Sequence, residues 1–173
     1  MGSWKPSLPW GESTVLGRVA EIALAQVERL FVVVGYRAED VPSLLPGDPR
    51  ITVVKNRAYR RGMFSSIQCA LPLMETESFV VFLGDMPALP PELLRRLMAI
   101  EIVHWARPVY RGKPGHPVRI HRHLIPELLA LDPSDGEMRD VLRRYEGILL
   151  ETGEAGVYRD LDTPEDLRWL TEK

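Results

Sequence analysis

Apolar positions along this chain switch repeatedly between two periods. Val15, Val19, Ile22, Ala23 and Val27 recur at helical spacing, with Thr14 or Ser13 placed to cap the first turn. LFVVVGY, from Leu30 to Tyr36, is short, β-branched and closed by Gly35, which predicts a buried strand. ITVVKN, from Ile51 to Asn56, predicts a second strand, after a segment holding Pro42, Pro46, Gly47 and Pro49. GMFSSIQCALPLM predicts a helix opening near Gly62, and SFVVFLGDMP is the most apolar strand, ending in a polar turn. PPELLRRLMAI opens a helix with proline where a missing N–H does no harm. IVHWARPVY and HPVRI read as strands joined through RGKPG. Helices around HLIPELLAL and EMRDVLRRY, a short strand GILLE and a last helix from Thr163 complete the pattern.

Strands alternating with helices predict an α/β fold with a doubly wound, mostly parallel sheet covered on both faces. With 173 residues, 45% of them hydrophobic, and no repeat or long linker, the chain reads as one domain. In such sheets ligands bind beyond the carboxyl ends of the strands, so polar residues just after apolar runs are the candidates. The opening MGSWKPSLPWGE does not fit the alternation. Pro6 and Pro9 fix φ and remove donors, so it reads as an irregular loop feeding the first helix, with no strand ahead of it.

Charge and cysteine content narrow the class of partner. A net charge of −2 argues against nucleic acid and anionic membrane as partners. The single cysteine, Cys69, excludes an internal disulfide framework, and no apolar run approaches a membrane span or a signal peptide. The expected location is the cytoplasm.

The strongest chemical signal is Gly84-Asp85 at the end of VVFL. Gly84 admits a ligand close to the backbone, and a carboxylate at a strand end suits a hard divalent cation completed by phosphate oxygens and water. The competing reading, Asp85 as a helix cap, is weakened because the next helix has its own start at Leu89-Pro90-Pro91. Asp160 and Asp162 alternate, so in an extended segment they face one side; a shared metal and capping by Asp162 alone stand level as readings. Asn56, the basic Arg57, Arg60 and Arg61, then Gly62, Ser65 and Ser66 at a helix start suit a phosphate or a base, although alone they read as a solvated loop with serine caps. RGKPGHPV puts Arg111, Lys113, Gly115 and His116 in a tight turn, where His116 is either a ligand-binding group or a surface histidine. His121 and His123 lack zinc-type partners and read as surface residues.

Taken in order, these segments resemble the MobA-like NTP transferase family, in particular its molybdenum cofactor cytidylyltransferase branch. MGSWKPSLPWGESTVL is similar to the family's R-M-G-x-x-K-x-L-L-P segment and the helix after it. VVVGY, GMFSSI, LGDMP, GHPV and DLDTPEDL follow in family order across nearly the whole chain. The resemblance implies a Rossmann-like nucleotide-diphospho-sugar transferase fold and a nucleotidyltransferase using Mg²⁺. It implies transfer of a nucleoside monophosphate from CTP or GTP to a phosphorylated pterin, with release of pyrophosphate. It places Lys5 and Asp85 in catalysis, and Gly2, Lys5, Asn56, Gly62, Ser65, Ser66, Gly84 and Asp85 around the nucleotide. Gly115, His116, Asp135 and Arg139 then face the acceptor, and Asp85, Asp160 and Asp162 the metal. A molybdoenzyme taking up the product is a further implied partner.

Two departures qualify the match. SDGEMR stands where the family has a G-D-x-G-A-R-like segment, so Glu137 and Met138 replace small residues beside Asp135 and Arg139. The family's first strand and L-A-A-G-x-S-x-R loop are absent ahead of Met1-Gly2, and the sheet is expected to lack that central strand. Met1 is expected to be a cut inside a motif of a longer protein. Two other functions fit the same motifs: a nucleotidyltransferase for sugar phosphates or other small acceptors, and a non-catalytic protein that binds and delivers molybdenum cofactor.

Overall fold

The computed structural model describes residues 4–157. The expected terminal helix from Thr163 lies outside them. The opening loop is more regular than its prolines suggest. Lys5–Ser7 form one 3₁₀ turn in which Pro6 occupies an early position that needs no N–H. β1 (Pro9–Trp10) and β2 (Ser13–Thr14) then make a two-residue antiparallel ladder. Gly11, at φ +57°, supplies the left-handed turn between them.

Helix α1 (Val15–Leu24) starts where the periodicity says. Thr14 caps it, its hydroxyl accepting from the Gly17 N–H at 3.0 Å and donating to the Leu44 carbonyl at 3.0 Å. Strand β3 (Leu30–Val34) pairs in parallel with β4 (Ile51–Lys55). A second sheet contains β5 (Ser78–Val81), β6 (Trp105–Tyr110), β7 (Lys113–Pro114), β8 (Val118–His121) and β9 (Gly147–Glu151). β8 runs antiparallel to both β5 and β6, while β9 is parallel to β6, so β5, β6 and β9 point the same way. The fold is α/β as expected, with a mixed sheet in which the hairpin strands β7 and β8 are reversed.

Among the described residues β3 pairs only with β4 and β5 only with β8, so each keeps one edge without a strand partner. The expectation of a buried LFVVV strand fails for the same reason. Only Val34 is buried, and Leu30 to Val33 are half-buried.

The remaining helices cover the strands. These are α2 (Met63–Ala70), α3 (Pro91–Met98), α4 (Ile125–Ala130) and α5 (Met138–Leu142). α5 ends sooner than EMRDVLRRY suggests, and a capping box between Glu137 and Asp140 opens it. The largest core cluster joins Phe64 and Leu71 to Phe79, Val118, Ile120, Leu124, Leu128, Val141 and Leu142. A second joins Ile22 of α1 to Leu89, Leu93, Leu94 and Val157. A third, Val34, Ala38 and Val41, packs with Trp4 and Leu16. α1 therefore carries apolar contacts to the elements of both sheets, which fixes the opening loop relative to the end of β5. No helix among the described residues is long and apolar enough to cross a membrane.

Candidate active site

The polar groups expected at strand ends converge on the exit of β5. Beyond Val81 the chain leaves the sheet through Phe82 and Leu83 to Gly84 and Asp85, then buries Met86 and Pro87. A Cβ on Gly84 would stand 3.4 Å from the Leu16 side chain, so α1 approaches this turn closely. The 3₁₀ turn ahead of α1 brings Lys5 in from the other side. Its Nζ lies 4.0 Å from Asp85 Oδ2, with both side chains 31% exposed. A partly exposed cation and carboxylate at this spacing bracket the space beyond the strand ends, where the ammonium would balance phosphate oxygens directly and the carboxylate could do so only through a bound cation.

Asn56, Ser65 and Ser66 are brought together by the structure and spend their polar groups on one another. Asn56 is buried after β4 and donates through Nδ2 to the hydroxyls of Ser65 and Ser66 at 2.9 and 3.0 Å. Its Oδ1 accepts from the Ala58 N–H at 2.8 Å, and Ser65 donates to the Gly62 carbonyl at 2.7 Å. These bonds pin the loop 56–62 to the start of α2. Gly62 at φ +96° makes the bend, a conformation that other residues resist. Arg61 binds Asp132 at 2.6 Å and also Ser134, so this loop is tied to the segment before α5.

Gly115 and His116 sit in a bulge between β7 and β8. Pairing of β6 with β8 matches Ala106 to Arg119, whereas pairing with β7 matches Val109 to Pro114, so the intervening residues include extra chain that turns out of the ladder. A Cβ on Gly115 would come 2.3 Å from the Val157 carbonyl oxygen, and the His116 N–H donates to that oxygen at 2.8 Å. Burial, reinforced by the charge of Arg107, drives the His116 imidazole down to about 4, against a smaller opposing effect of the Val81 backbone. His116 is therefore neutral at ordinary pH. Its Nδ1 is buried with no hydrogen-bond partner.

Asp135 and Arg139 are exposed, with Arg139 paired to Glu137 at 2.7 Å. No hydrogen bond or ion pair among the described residues joins them to Gly115 or His116. Gly2, Asp160 and Asp162 lie outside the described residues.

Sequence patterns alone did not single out Arg107, an interior position of β6. Its Nε and Nη2 donate to the Gly115 carbonyl at 3.0 and 2.8 Å. Nor did they bring His104 to the other two histidines. The His104 and His123 rings meet at 3.0 Å and the His121 and His123 rings at 2.7 Å. They sit where β6 begins and β8 ends, the opposite end of the sheet from Asp85. No group of three such side chains among the described residues is arranged to hold a metal ion. Asp85 alone can offer one or two oxygens. Among the described residues, that fits a cation bound chiefly by substrate phosphates and water.

Comparison with known proteins bears on this arrangement. The family model for the MobA-like NTP transferase domain matches residues 1–148. The chain is 30% identical over 173 residues to the molybdenum cofactor cytidylyltransferase of Escherichia coli (strain K12), covering 100% of this chain and 90% of that one. Among solved structures it is similar to Rv0371c from Mycobacterium tuberculosis H37Rv, with TM-score 0.83 and 28% identity over 100% of this chain and 91% of that one. The same protein in complex with manganese gives 0.81 and 28%, over 99% and 94%. A nucleotidyl transferase from Methanothermobacter thermautotroptrophicus shares the fold at TM-score 0.82 and 22% identity, over 97% and 83%.

Proposed function

The chain belongs to the MobA-like NTP transferase family and is a nucleotidyltransferase, and from that premise we propose that it transfers CMP from CTP to the phosphate of a molybdopterin-type acceptor, releasing pyrophosphate. The observation that carries the site assignment is the approach of Lys5 to Asp85 beyond the end of β5. The choice of CTP and a pterin rests on the full-length likeness to the Escherichia coli cytidylyltransferase.

In this reading Lys5 binds the triphosphate and offsets charge that builds on the α-phosphate as the acceptor oxygen attacks. Asp85, with Asp160 or Asp162 as a second acidic contributor, holds Mg²⁺ or a similar divalent ion. When bound, that ion supplies charge neutralisation on the phosphates and orients them for displacement. Manganese in the complex of the mycobacterial relative supports a divalent requirement. The loop 56–62, braced by Asn56 and Ser65, gives the nucleotide side a rigid wall, with the Gly62 turn opening α2. The Gly115–His116 bulge supplies the acceptor side.

The test is product analysis with the purified protein, Mg²⁺, CTP or GTP, and molybdopterin. Release of pyrophosphate with formation of the cytosine dinucleotide is expected. Turnover with a sugar phosphate and none with the pterin would overturn the acceptor assignment. Turnover with GTP alone would overturn the donor.

A further inference from the structure

The acceptor bulge has an unusual support. Arg107 projects from the interior of β6, half-buried, and burial holds its guanidinium below its ordinary range. Among the described residues no carboxylate pairs with it, and both of its bonds end on one atom, the Gly115 carbonyl oxygen. A half-buried guanidinium with no carboxylate partner among the described residues is costly, so its contact with this one carbonyl needs a reason.

The reason lies next door. His116 follows Gly115, and its Nδ1 has no partner. The ring is thus not anchored by that nitrogen. The ring also meets the Val81 backbone, and the backbone that carries it is tied at three points: the Gly115 carbonyl to Arg107, the Gly115 N–H to the Pro108 carbonyl at 2.8 Å, and the His116 N–H to the Val157 carbonyl at 2.8 Å. Gly115 itself cannot shift far, because the Val157 backbone lies where a side chain would begin. Removing the guanidinium frees one of these three backbone ties, the only one made by a side chain.

We propose that Arg107 is a positioning residue of the acceptor side: by holding the Gly115 carbonyl it sets the shape of the bulge that presents His116, and through it the affinity for the acceptor molecule. This rests on the reading of the bulge as the acceptor wall.

The experiment compares the wild type with Arg107→Met and Arg107→Lys. Without substrate, amide spectra of residues 115–116 and the ring ¹⁵N shifts of His116 report the bulge directly. With CTP, Mg²⁺ and molybdopterin, KM for each substrate and kcat are measured separately. Arg107→Met should move the 115–116 signals and raise KM for molybdopterin about tenfold, the effect of losing a charge-assisted hydrogen bond. KM for CTP should stay constant and kcat should change little. Arg107→Lys, which keeps one donor, should recover most of the loss and serves as the test if the methionine variant does not fold. Unmoved 115–116 signals, or both KM values rising together, would overturn the proposal. Absence of wild-type turnover with molybdopterin would strike at the proposed function instead, while the spectra would still decide whether Arg107 shapes the bulge.

Discussion

His116 makes the stability of the protein depend on pH in a way that can be calculated. Its imidazole titrates near 4 in the folded chain, against 6.5 for the free group. Between those values the unfolded chain binds a proton that the folded chain refuses. Stability is therefore full above about pH 6.5 and falls as the pH drops towards 4. Below 4 both states are protonated and the loss stops growing. The full shift corresponds to roughly 3 kcal/mol, and between pH 7.5 and pH 5 the loss is about 2 kcal/mol. His116→Asn removes the titration and keeps a small polar side chain. Urea unfolding of both proteins, followed by tryptophan fluorescence at pH 7.5, 6.5, 5.5 and 5.0, isolates the term. His104, His121 and His123 contribute equally to the two curves and cancel in the difference, since they lie at the far end of the sheet. The wild type should lose about 2 kcal/mol more than the variant over that range. Parallel curves, with a gap under about 0.5 kcal/mol, would refute the claim that His116 is held neutral by burial and Arg107.

Four further outcomes follow from the geometry. Asp85→Asn should cut metal-dependent turnover on the order of a thousandfold, yet change the unfolding free energy by less than about 1 kcal/mol, because its pair with Lys5 is long and partly exposed; near-normal turnover would remove Asp85 from the metal site. Asn56→Ala should cost about 2–3 kcal/mol in chemical unfolding, since three hydrogen bonds end on that buried side chain; loss of nucleotide affinity at unchanged stability would show direct contact instead of bracing. Gly17→Ala should destabilise by about 1 kcal/mol or more despite alanine's helix preference, because the added carbon would stand 2.5 Å from Ser13 Oγ and 2.8 Å from the Leu44 carbonyl, and a rise in melting temperature would contradict it. In hydrogen exchange, alternate amides of β3 and β5, those facing away from β4 and β8, should exchange much faster than their neighbours, and uniform protection would mean that both strand edges are covered.

Local signals made some of the site legible and tertiary returns hid the rest. Asp85 could be found because an apolar strand, a glycine and a carboxylate in succession place the carboxylate at a strand end wherever that strand lies. Lys5 was legible only through resemblance, since nothing in WKPS says that the turn comes to rest against residue 85. Asn56, Ser65 and Ser66 were legible as a group but not as a mutually satisfied one. Their hydroxyls are taken up by a carbonyl and an amide that only the loop geometry supplies. Arg107 was hidden because a basic residue inside a strand looks like an exposed alternation, and its partner is a backbone atom in a bulge. The half-burial of LFVVV was hidden as well. β-branched runs report the capacity to be buried, and the partners available to β3 decide how much of it is used.

Lys5 and Asp85 belong to different parts of the fold, and their spacing is a property of α1. Lys5 stands in the loop that packs through Trp4 against Val34, Ala38 and Val41 at the end of β3. Asp85 stands beyond β5, in a turn followed by the Leu89, Leu93 and Leu94 cluster. α1 contributes Leu16 to the first group and Ile22 to the second, and Leu16 also approaches Gly84. A helix rising 1.5 Å per residue holds those two contacts at a fixed separation, so the cation and the carboxylate cannot drift independently. Packing therefore sets the width of the gap that a triphosphate would enter, more than the attraction between two half-exposed charges at 4.0 Å, which is weak in water. The same reasoning makes α1 a structural part of the phosphate side even though its own side chains are apolar.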